Sequence, residues 1–204
     1  MLLKEDKLEK EIKYALEIFE KKELEEADLD RVSSVLISNW NVRGEELGVD
    51  ISEISRLKNL KALELKGFEL NQEIANILEN FSGLEKICLY SCKSKEKVSV
   101  DFGKLKNILL DSCSEIDLNE IEMPENVKIV NCKVVDLSKL QNANQIKDLK
   151  IQASEIVNSS FLGKMKKLKK LNIDGSSLDD DEIIGKLRAK KVFVSNEFEY
   201  YPIK

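Results

Sequence analysis

The chain has 204 residues, of which 42% are hydrophobic and 35% charged, a composition typical of a globular protein with a strongly solvated surface. Its formal net charge of −5 argues against general nucleic-acid binding, which requires a basic face. The sequence contains no histidine, which excludes Ser-His-Asp and Cys-His catalysis, histidine-ligated metals and histidine pH switches within this chain.

The N-terminal segment, residues 1–31, is predicted to form a helical cap. Apolar residues recur at helical spacing within residues 3–22, which predicts an amphipathic helix. The apolar face of this helix would comprise Leu8, Ile12, Ala15, Leu16 and Phe19. The next stretch, ELEEADLDRV, predicts a second short helix that leads into the first strand. A helix that binds a partner is the alternative to a cap.

The start of the chain, MLLKEDKLEKEIK, is charged from its fourth residue and has no apolar stretch of signal-peptide length. No later stretch is apolar for long enough to span a membrane. Four cysteines without a secretion signal fit a reducing compartment. The sequence therefore predicts a cytoplasmic protein with no membrane partner.

Residues 32–204 contain about eight copies of the pattern L-x-x-L-x-L-x-x-N/C-x-L, and the last copy is degenerate. The second apolar anchors of the copies are Val35, Leu63, Ile87, Ile108, Val127, Leu149, Leu171 and Val192. Their spacings are 28, 24, 21, 19, 22, 22 and 21 residues. All but the 19 lie within the roughly 20–29 residues typical of leucine-rich repeats.

Each copy holds a short strand in which alternate residues point to opposite sides. One such unit cannot bury its own apolar face, so stacked copies would form a parallel sheet over a continuous core. The predicted fold class is α/β: a leucine-rich-repeat solenoid curved into a horseshoe. The parallel sheet would lie on the concave face, with mixed helical and irregular returns behind it. The N-terminal cap would cover the open end of the core, in one continuous structural domain.

The return segments are predicted to differ from one another. The stretch LNQEIANILENFSGL has helical periodicity, with Asn71 as its N-cap. Its apolar face would comprise Ile74, Ile77, Leu78 and Phe81. The stretch SSLDDDEIIGKL predicts another helix. The 19-residue step before Val127 leaves little room for a helix, and Pro124 is expected to produce a tight, non-helical entry there.

The cap helix followed by EADLDRVSSVLISN resembles the N-terminal cap and first repeat of internalin-like bacterial leucine-rich-repeat proteins. The repeats from Ile146 to Leu187 keep the 22-residue step of that family. The resemblance implies a right-handed horseshoe that binds another protein, usually on its concave face. It also implies export, whereas this chain shows no export signal, and it places asparagine where this chain has Cys92, Cys113 and Cys132.

These three cysteines follow successive strands at one position of the repeat. Zinc thiolate sites usually show C-x₂₋₄-C pairs on one tight turn, whereas Cys88 and Cys92 are separated by a strand and point apart. Stacked cysteines lie within disulfide range, but their parallel side chains would strain a bridge. We therefore predict small buried hydrophobes at the turns, and neither a metal nor a cofactor. Cys88 is instead expected to face outward and to react quickly with thiol reagents.

A partner-binding patch is predicted on the concave face of the third to fifth copies. Its apolar members are Cys88, Tyr90, Leu109 and Val130, and its charged rim comprises Lys86, Asp111 and Lys128. Contiguous apolar surface with a charged rim is typical of a protein-binding site. Scattered exposed apolar residues, which are normal on protein surfaces, are the alternative.

The predicted function is that of a non-catalytic protein–protein interaction module. Its partner would be another protein, with no nucleic acid and no small-molecule substrate. One alternative is an exported adhesin-like surface protein whose leader is missing from this chain. A carboxylate-based hydrolase is a remote alternative, because acidic residues are abundant.

Overall fold

A computed structural model describes residues 3, 5–41, 43–94, 105–114, 125–140 and 143–196 of the chain. In chain order, the helices and strands are α1 (Asp6–Ala15), α2 (Glu26–Leu29), β1 (Ser34–Ser38), β2 (Ala62–Lys66), β3 (Glu69–Leu70), α3 (Gln72–Glu79), β4 (Lys86–Tyr90), β5 (Lys93–Ser94), β6 (Asn107–Asp111), β7 (Asn126–Val130), β8 (Val134–Asp136), β9 (Asp148–Gln152), β10 (Glu155–Val157), β11 (Lys170–Asn172), β12 (Ser177–Leu178), α4 (Glu182–Ala189) and β13 (Phe193–Ser195). Short 3-10 helices lie at Ser52–Arg56, Leu137–Lys139, Ala143–Gln145 and Ser159–Lys164.

Eight strands, one from each repeat, form a single parallel sheet. Its strand order is β1-β2-β4-β6-β7-β9-β11-β13, so repeats that are adjacent in sequence are adjacent in space. The pairing register joins the anchors from Val35 through Leu171, which confirms seven of the eight predicted positions. Each of these seven side chains is at most 3% exposed, because the anchor face of every strand covers the core.

In the last repeat the predicted register is wrong by two residues. Leu171 pairs with Val194, not with Val192. Val192 is an apolar residue at nearly the expected spacing, and its side chain is buried, at 7% exposure, although it does not occupy the anchor position. Helix α4 ends at Ala189, and Lys191 then takes a left-handed conformation with a φ of 64° before β13 begins. A shift of two preserves the alternation of the side chains between the faces of the sheet.

In the second to seventh repeats, the fourth residue after the anchor turns the chain sharply out of the sheet. This residue is left-handed, with φ between 50° and 74°, at Gly67, Ser91, Ser112, Asn131, Ala153 and Gly175. The N–H of Gly67 donates to the carbonyl of Tyr90 at 2.9 Å, and the N–H of Ser91 donates to that of Asp111 at 2.8 Å. Hydrogen bonds between neighbouring coils therefore continue past the ends of the strands.

The returns form a second layer across the core. Strands β8, β10 and β12 form a three-stranded parallel sheet, and β3 pairs with β5. Helix α3 confirms the helix predicted after the second repeat, since Oδ1 of Asn71 accepts from the N–H of Ile74 at 2.9 Å. Helix α4 confirms the helix predicted from SSLDDDEIIGKL. The tight entry predicted at Pro124 lies outside the described residues.

Helix α1 packs against β1 and covers the N-terminal end of the core, as the cap interpretation predicts. The side chains of Leu8 and Ile12 are fully buried beneath it. The helix is shorter than predicted, however: Ala15 is exposed at its last turn, and Phe19 lies beyond it with 57% of its surface exposed. The buried face of the cap therefore ends earlier than the apolar periodicity indicated.

A hydrogen-bonded turn ends α1. Glu17 is left-handed, with a φ of 57°, and the N–H of Ile18 donates to the carbonyl of Lys13 at 3.0 Å. The N–H of Glu17 donates to the carbonyl of Tyr14 at 3.1 Å. This is the Schellman arrangement, which satisfies the last carbonyls of a helix and stops its extension. Apolar spacing alone does not reveal it, because the left-handed residue here is glutamate and not glycine.

Helix α2 confirms the second short helix of the cap and is held by a buried carboxylate. Asp28 is 4% exposed, and its Oδ2 accepts from Nζ of Lys21 at 2.6 Å and from the N–H of Glu25 at 2.8 Å. The hydrogen bond from Lys21 and that from Glu25 hold the pKa of Asp28 below its ordinary value. The carboxylate thereby joins the two parts of the cap.

Candidate functional site

The candidate site lies on the solvent-facing side of the eight-stranded sheet, which we call the concave face. Its side chains alternate with the buried anchors and line up in three columns, because the parallel strands pair in register. The central column comprises Leu36, Glu64, Cys88, Leu109, Lys128, Lys150 and Asn172. The column at the N-terminal ends of the strands comprises Ser34, Ala62, Lys86, Asn107, Asn126, Asp148 and Lys170. The column at their C-terminal ends comprises Ser38, Lys66, Tyr90, Asp111, Val130 and Gln152.

The structure places the seven predicted binding residues on three adjacent strands, β4, β6 and β7. Cys88, Leu109 and Lys128 are neighbours in the central column, Tyr90, Asp111 and Val130 are neighbours in the C-terminal column, and Lys86 lies in the N-terminal column. Tyr90, Leu109 and Val130 are half-buried, and the two lysines are exposed. The set is therefore close in space, but its members differ in what they offer to a partner.

Cys88 differs from the prediction, because its side chain is 0% exposed although it lies on the concave face. The thiol interacts with the longer side chains of Glu64, Lys86 and Tyr90, which cover it. A cysteine side chain has only one heavy atom beyond Cβ, so it lies below the level of such neighbours. The expectation that Cys88 is exposed and reacts quickly is therefore wrong. Its packing beneath Tyr90 is what it contributes to the face.

Burial also determines the protonation of the Cys88 thiol and the Tyr90 phenol. It raises the pKa of the Cys88 thiol, with the Glu64 carboxylate adding to the effect. It raises the pKa of Tyr90 to about 12, with Cys88 and Glu64 again contributing. The thiol and the phenol are therefore both neutral near pH 7, and the Tyr90 hydroxyl remains a neutral hydrogen-bonding group on the face.

We expect all four cysteines to react slowly with a thiol reagent in the native protein, because all four are buried. Thiolate is the reactive form, and the raised pKa of Cys88 keeps its concentration low. A colorimetric disulfide reagent should titrate almost no thiol under native conditions and four per chain in guanidinium. Rapid modification of one equivalent, mapped to Cys88 by mass spectrometry, would contradict the burial of that side chain.

The rim carboxylate of Asp111 already has donors within the protein. Its Oδ1 accepts from Oγ of Ser112 at 2.8 Å and from Nδ2 of Asn131 at 3.3 Å. Asp111 also lies between Tyr90 and Val130 in the C-terminal column. The apolar surface is therefore interrupted at Asp111. Its centre lies at Tyr90 and Leu109, which are diagonal neighbours on β4 and β6.

A depression of about 440 Å³ lies beside Leu109, towards the N-terminal ends of the strands. Its polar lining comprises Lys86, Asn107, Asn126, Lys128, Asp148 and Lys150. The sequence-based prediction missed Asn107, Asn126, Asp148 and Lys150, because it selected apolar residues and their immediate rim. The signal that could have identified them is positional, since all four occupy concave-face columns next to the predicted set.

The lysines of the depression differ in their electrostatic partners. Nζ of Lys86 lies 3.3 Å from Oε1 of Glu64. Lys128 and Lys150 pair in register in the central column, and neither forms an ion pair with any residue that the structure describes. The depression therefore presents uncompensated positive charge on a chain whose net charge is −5.

The three turn cysteines occupy the positions predicted for them. Cys92, Cys113 and Cys132 are free thiols, each at most 6% exposed. Sγ of Cys113 donates to the carbonyl of Leu89 at 3.3 Å, and Sγ of Cys92 donates to that of Leu65 at 3.6 Å. This confirms small buried side chains that serve as weak donors inside the turns. Among the described residues, no cluster of three acidic or cysteine side chains could hold a metal ion.

The described part of the chain contains no helix that is both long enough and apolar enough to cross a membrane. Comparison with protein-family models finds none that matches, and no curated protein matches the sequence.

Internalin C2 from Listeria monocytogenes matches with a TM-score of 0.56 at 18% identity, covering 94% of this chain and 93% of that protein. Human 5T4, a trophoblast glycoprotein, matches with a TM-score of 0.52 at 12% identity, covering 86% of this chain and 79% of that one. Internalin F from Listeria monocytogenes matches with a TM-score of 0.48 at 14% identity, covering 95% and 75%. At these identities a structural match establishes the fold alone. The chain is a leucine-rich-repeat solenoid that resembles the internalins in structure, as its repeats predict.

Proposed function

We propose that the chain is a non-catalytic interaction module that binds another protein on its concave face. The observation that carries this proposal is the combination of half-buried Leu109 and Tyr90 with an open, lysine-lined depression on adjacent strands. Apolar side chains beside a charged rim favour association with a partner surface. The solenoid fold supports a protein partner in a coarse sense, because solenoids use extended concave surfaces for binding.

Leu109 and Tyr90 would supply most of the affinity. Interface energies concentrate in a few central side chains, and tyrosine is among the residues that contribute most. Tyr90 lies on β4 and Leu109 on β6, and each of these strands is hydrogen-bonded to a strand on both sides. The backbone of the two residues therefore loses little freedom on binding. Val130 would extend the contact beyond Asp111, with Cys88 supporting Tyr90 from below. The lysines and Asp111 would form the rim.

We also propose that this binding takes place in the cytoplasm of a bacterium. All four cysteines are free, which suits a reducing compartment. The resemblance of the cap helix and the repeats to internalin-like bacterial proteins supports a bacterial source. Under this proposal the module acts without a cofactor, a nucleic acid or a small-molecule substrate.

The double variant Tyr90→Asp/Leu109→Asp is expected to lose capture of the partner. Each change places a carboxylate where an apolar contact would be desolvated, which removes the contact and adds a buried charge. The experiment is affinity purification from the native host with quantitative mass spectrometry. A protein enriched by the wild type should fall by at least about tenfold, equivalent to about 1.4 kcal/mol, with the double variant.

The control is Val134→Asp, which places one carboxylate on the opposite layer, where Val134 of β8 is 50% exposed, and so matches the single variant Leu109→Asp in charge. This control should retain the partner. Thermal unfolding of all three proteins checks that loss of capture is not loss of folding, and the single variant Leu109→Asp replaces the double one if Tyr90→Asp destabilises the sheet. Retention of the partner by a folded concave-face variant, or equal loss with Val134→Asp, would refute the proposed site.

A further inference from the structure

We infer that the depression on the concave face accepts an acidic segment of the partner protein. Its carboxylates would lie beside Lys128 and Lys150, and an apolar side chain of the same segment would pack against Leu109. This inference rests on the proposed function and specifies the chemistry of the partner. Three features of the face carry it: an uncompensated pair of lysines, a mixed apolar and amide lining, and a narrow positive surface.

The first feature is the lysine pair. Lys128 and Lys150 are register partners on adjacent strands, whose backbones lie about 4.8 Å apart. Like charges directly opposite one another destabilise a sheet. Both ammonium groups lack an ion-pair partner within the ranges that the structure describes. A carboxylate between them relieves this repulsion, so an acidic ligand gains energy there that a neutral ligand does not.

The acidic groups near the depression do not neutralise this pair. Glu64 forms its ion pair with Lys86, at 3.3 Å. Asp111 accepts hydrogen bonds from the side chains of Ser112 and Asn131, which lie in the turns that follow β6 and β7. Asp148 also lines the depression, and no ion pair joins it to Lys128, Lys150 or its register partner Lys170 within the described residues. The depression therefore holds two unpaired lysines and one unpaired carboxylate, which leaves an excess of positive charge. The positive charge is therefore available to a ligand.

The second feature is the lining next to the lysines. Leu109 is the register neighbour of Lys128, so an apolar contact and a charged contact lie side by side. Asn107 and Asn126 are register partners in the adjacent column and are exposed. Side-chain amides both donate and accept hydrogen bonds, so they suit the alternating N–H and C=O groups of an extended peptide. Together these groups match a polypeptide that carries acidic and apolar residues.

The third feature is the small extent of the positive surface. Lys128 and Lys150 occupy two strands, and Asn172 follows them in the same column. In the adjacent column Lys86 is paired with Glu64, and Lys170 is the register partner of Asp148. Nucleic-acid binding requires a basic track that continues along successive phosphates. Here the track is short, acidic side chains border it, and the whole chain is negative. A short acidic peptide segment therefore fits this face better than a nucleic acid does.

The test titrates the isotopically labelled full chain with capped synthetic peptides about ten residues long. One peptide contains only glutamate, a second has glutamates around two central leucines, and a third has glutamines around the same leucines. Single-stranded DNA of similar length is the fourth probe. The glutamate–leucine peptide should bind at least about tenfold more tightly than the glutamine–leucine peptide. Its chemical-shift changes should centre on Leu109, Lys128 and Lys150, and its affinity should fall as salt screens the charges.

The variant Lys128→Gln/Lys150→Gln should bind the glutamate–leucine peptide at least about tenfold more weakly. The control Lys58→Gln/Lys166→Gln removes the same charge from two exposed lysines outside the sheet and should bind as the wild type does. Without a ligand, Lys128→Gln/Lys150→Gln should melt no lower than the wild type at low salt, because it removes a repulsion. A lower melting temperature would remove the first argument for the inference.

Three other outcomes would overturn the inference. These are equal binding of the glutamate–leucine and glutamine–leucine peptides, unchanged peptide binding by Lys128→Gln/Lys150→Gln, and DNA binding as tight as peptide binding through the same lysines. The proposed function fails independently, if Tyr90→Asp/Leu109→Asp still captures the partner. The two proposals can also separate. If Tyr90→Asp/Leu109→Asp loses the partner while Lys128→Gln/Lys150→Gln retains it, the interaction module is supported and the acidic segment is rejected.

Discussion

Replacement of Gly67 by alanine is expected to lower the free energy of unfolding by about 3 kcal/mol. Gly67 is left-handed, with a φ of 74°, and a left-handed conformation alone costs a residue with a Cβ about 1–2 kcal/mol. A Cβ at this position would also lie 2.5 Å from Cε2 of Trp40 on the neighbouring coil. Since no relaxed structure tolerates such a contact, the indole or the turn must move, and packing is lost.

Gly175→Ala separates the two causes. Gly175 has a similar φ of 67°, but the nearest atom to its Cβ would be the backbone nitrogen of Ala153 at 3.7 Å, an ordinary contact. This variant should therefore lose only the conformational part, about 1 kcal/mol. Chemical denaturation of both variants measures the difference. Equal destabilisation of the two would show that Trp40 moves aside without cost.

Replacement of Ile12 by alanine is expected to destabilise the protein by about 3 kcal/mol, because its side chain is fully buried where α1 covers the end of the core. Each coil of a solenoid is stabilised by its neighbours, so the loss should be concentrated at the N-terminal end. Hydrogen exchange should therefore accelerate first in β1, whose residue Val35 is buried beneath the cap.

Tyr14→Ala is the control for the cap, because it lies on the same helix with 54% of its surface exposed. It removes an edge-to-face contact with Phe19, whose ring centroid is 5.0 Å away, and should cost below about 1 kcal/mol. Equal effects of the two substitutions on unfolding, or faster exchange throughout the sheet with Ile12→Ala, would contradict a local capping role for α1.

The candidate site illustrates how far sequence reasoning reaches for function. The strand alternation identified correctly which residues lie on the concave face, and the seven predicted residues are indeed neighbours. Strand alternation does not indicate how much of each side chain is exposed to a partner. The position of Cys88 in its strand predicts an exposed side chain, whereas its burial depends on the lengths of Glu64, Lys86 and Tyr90 on its own and the preceding strand. The depression and its unpaired lysines likewise depend on side chains from several repeats at once.

Periodic and local features of this protein can be derived from its residues alone. The repeat spacing establishes the solenoid, seven anchors establish the register, and Asn71 marks the start of α3, because each signal arises within one coil and recurs in the next. Features that depend on turn geometry or on contacts between coils needed the folded chain. These are the two-residue shift at Val194, the end of α1 at a left-handed glutamate, and the burial of Cys88. In each case a turn geometry or a neighbouring side chain outweighed the local pattern.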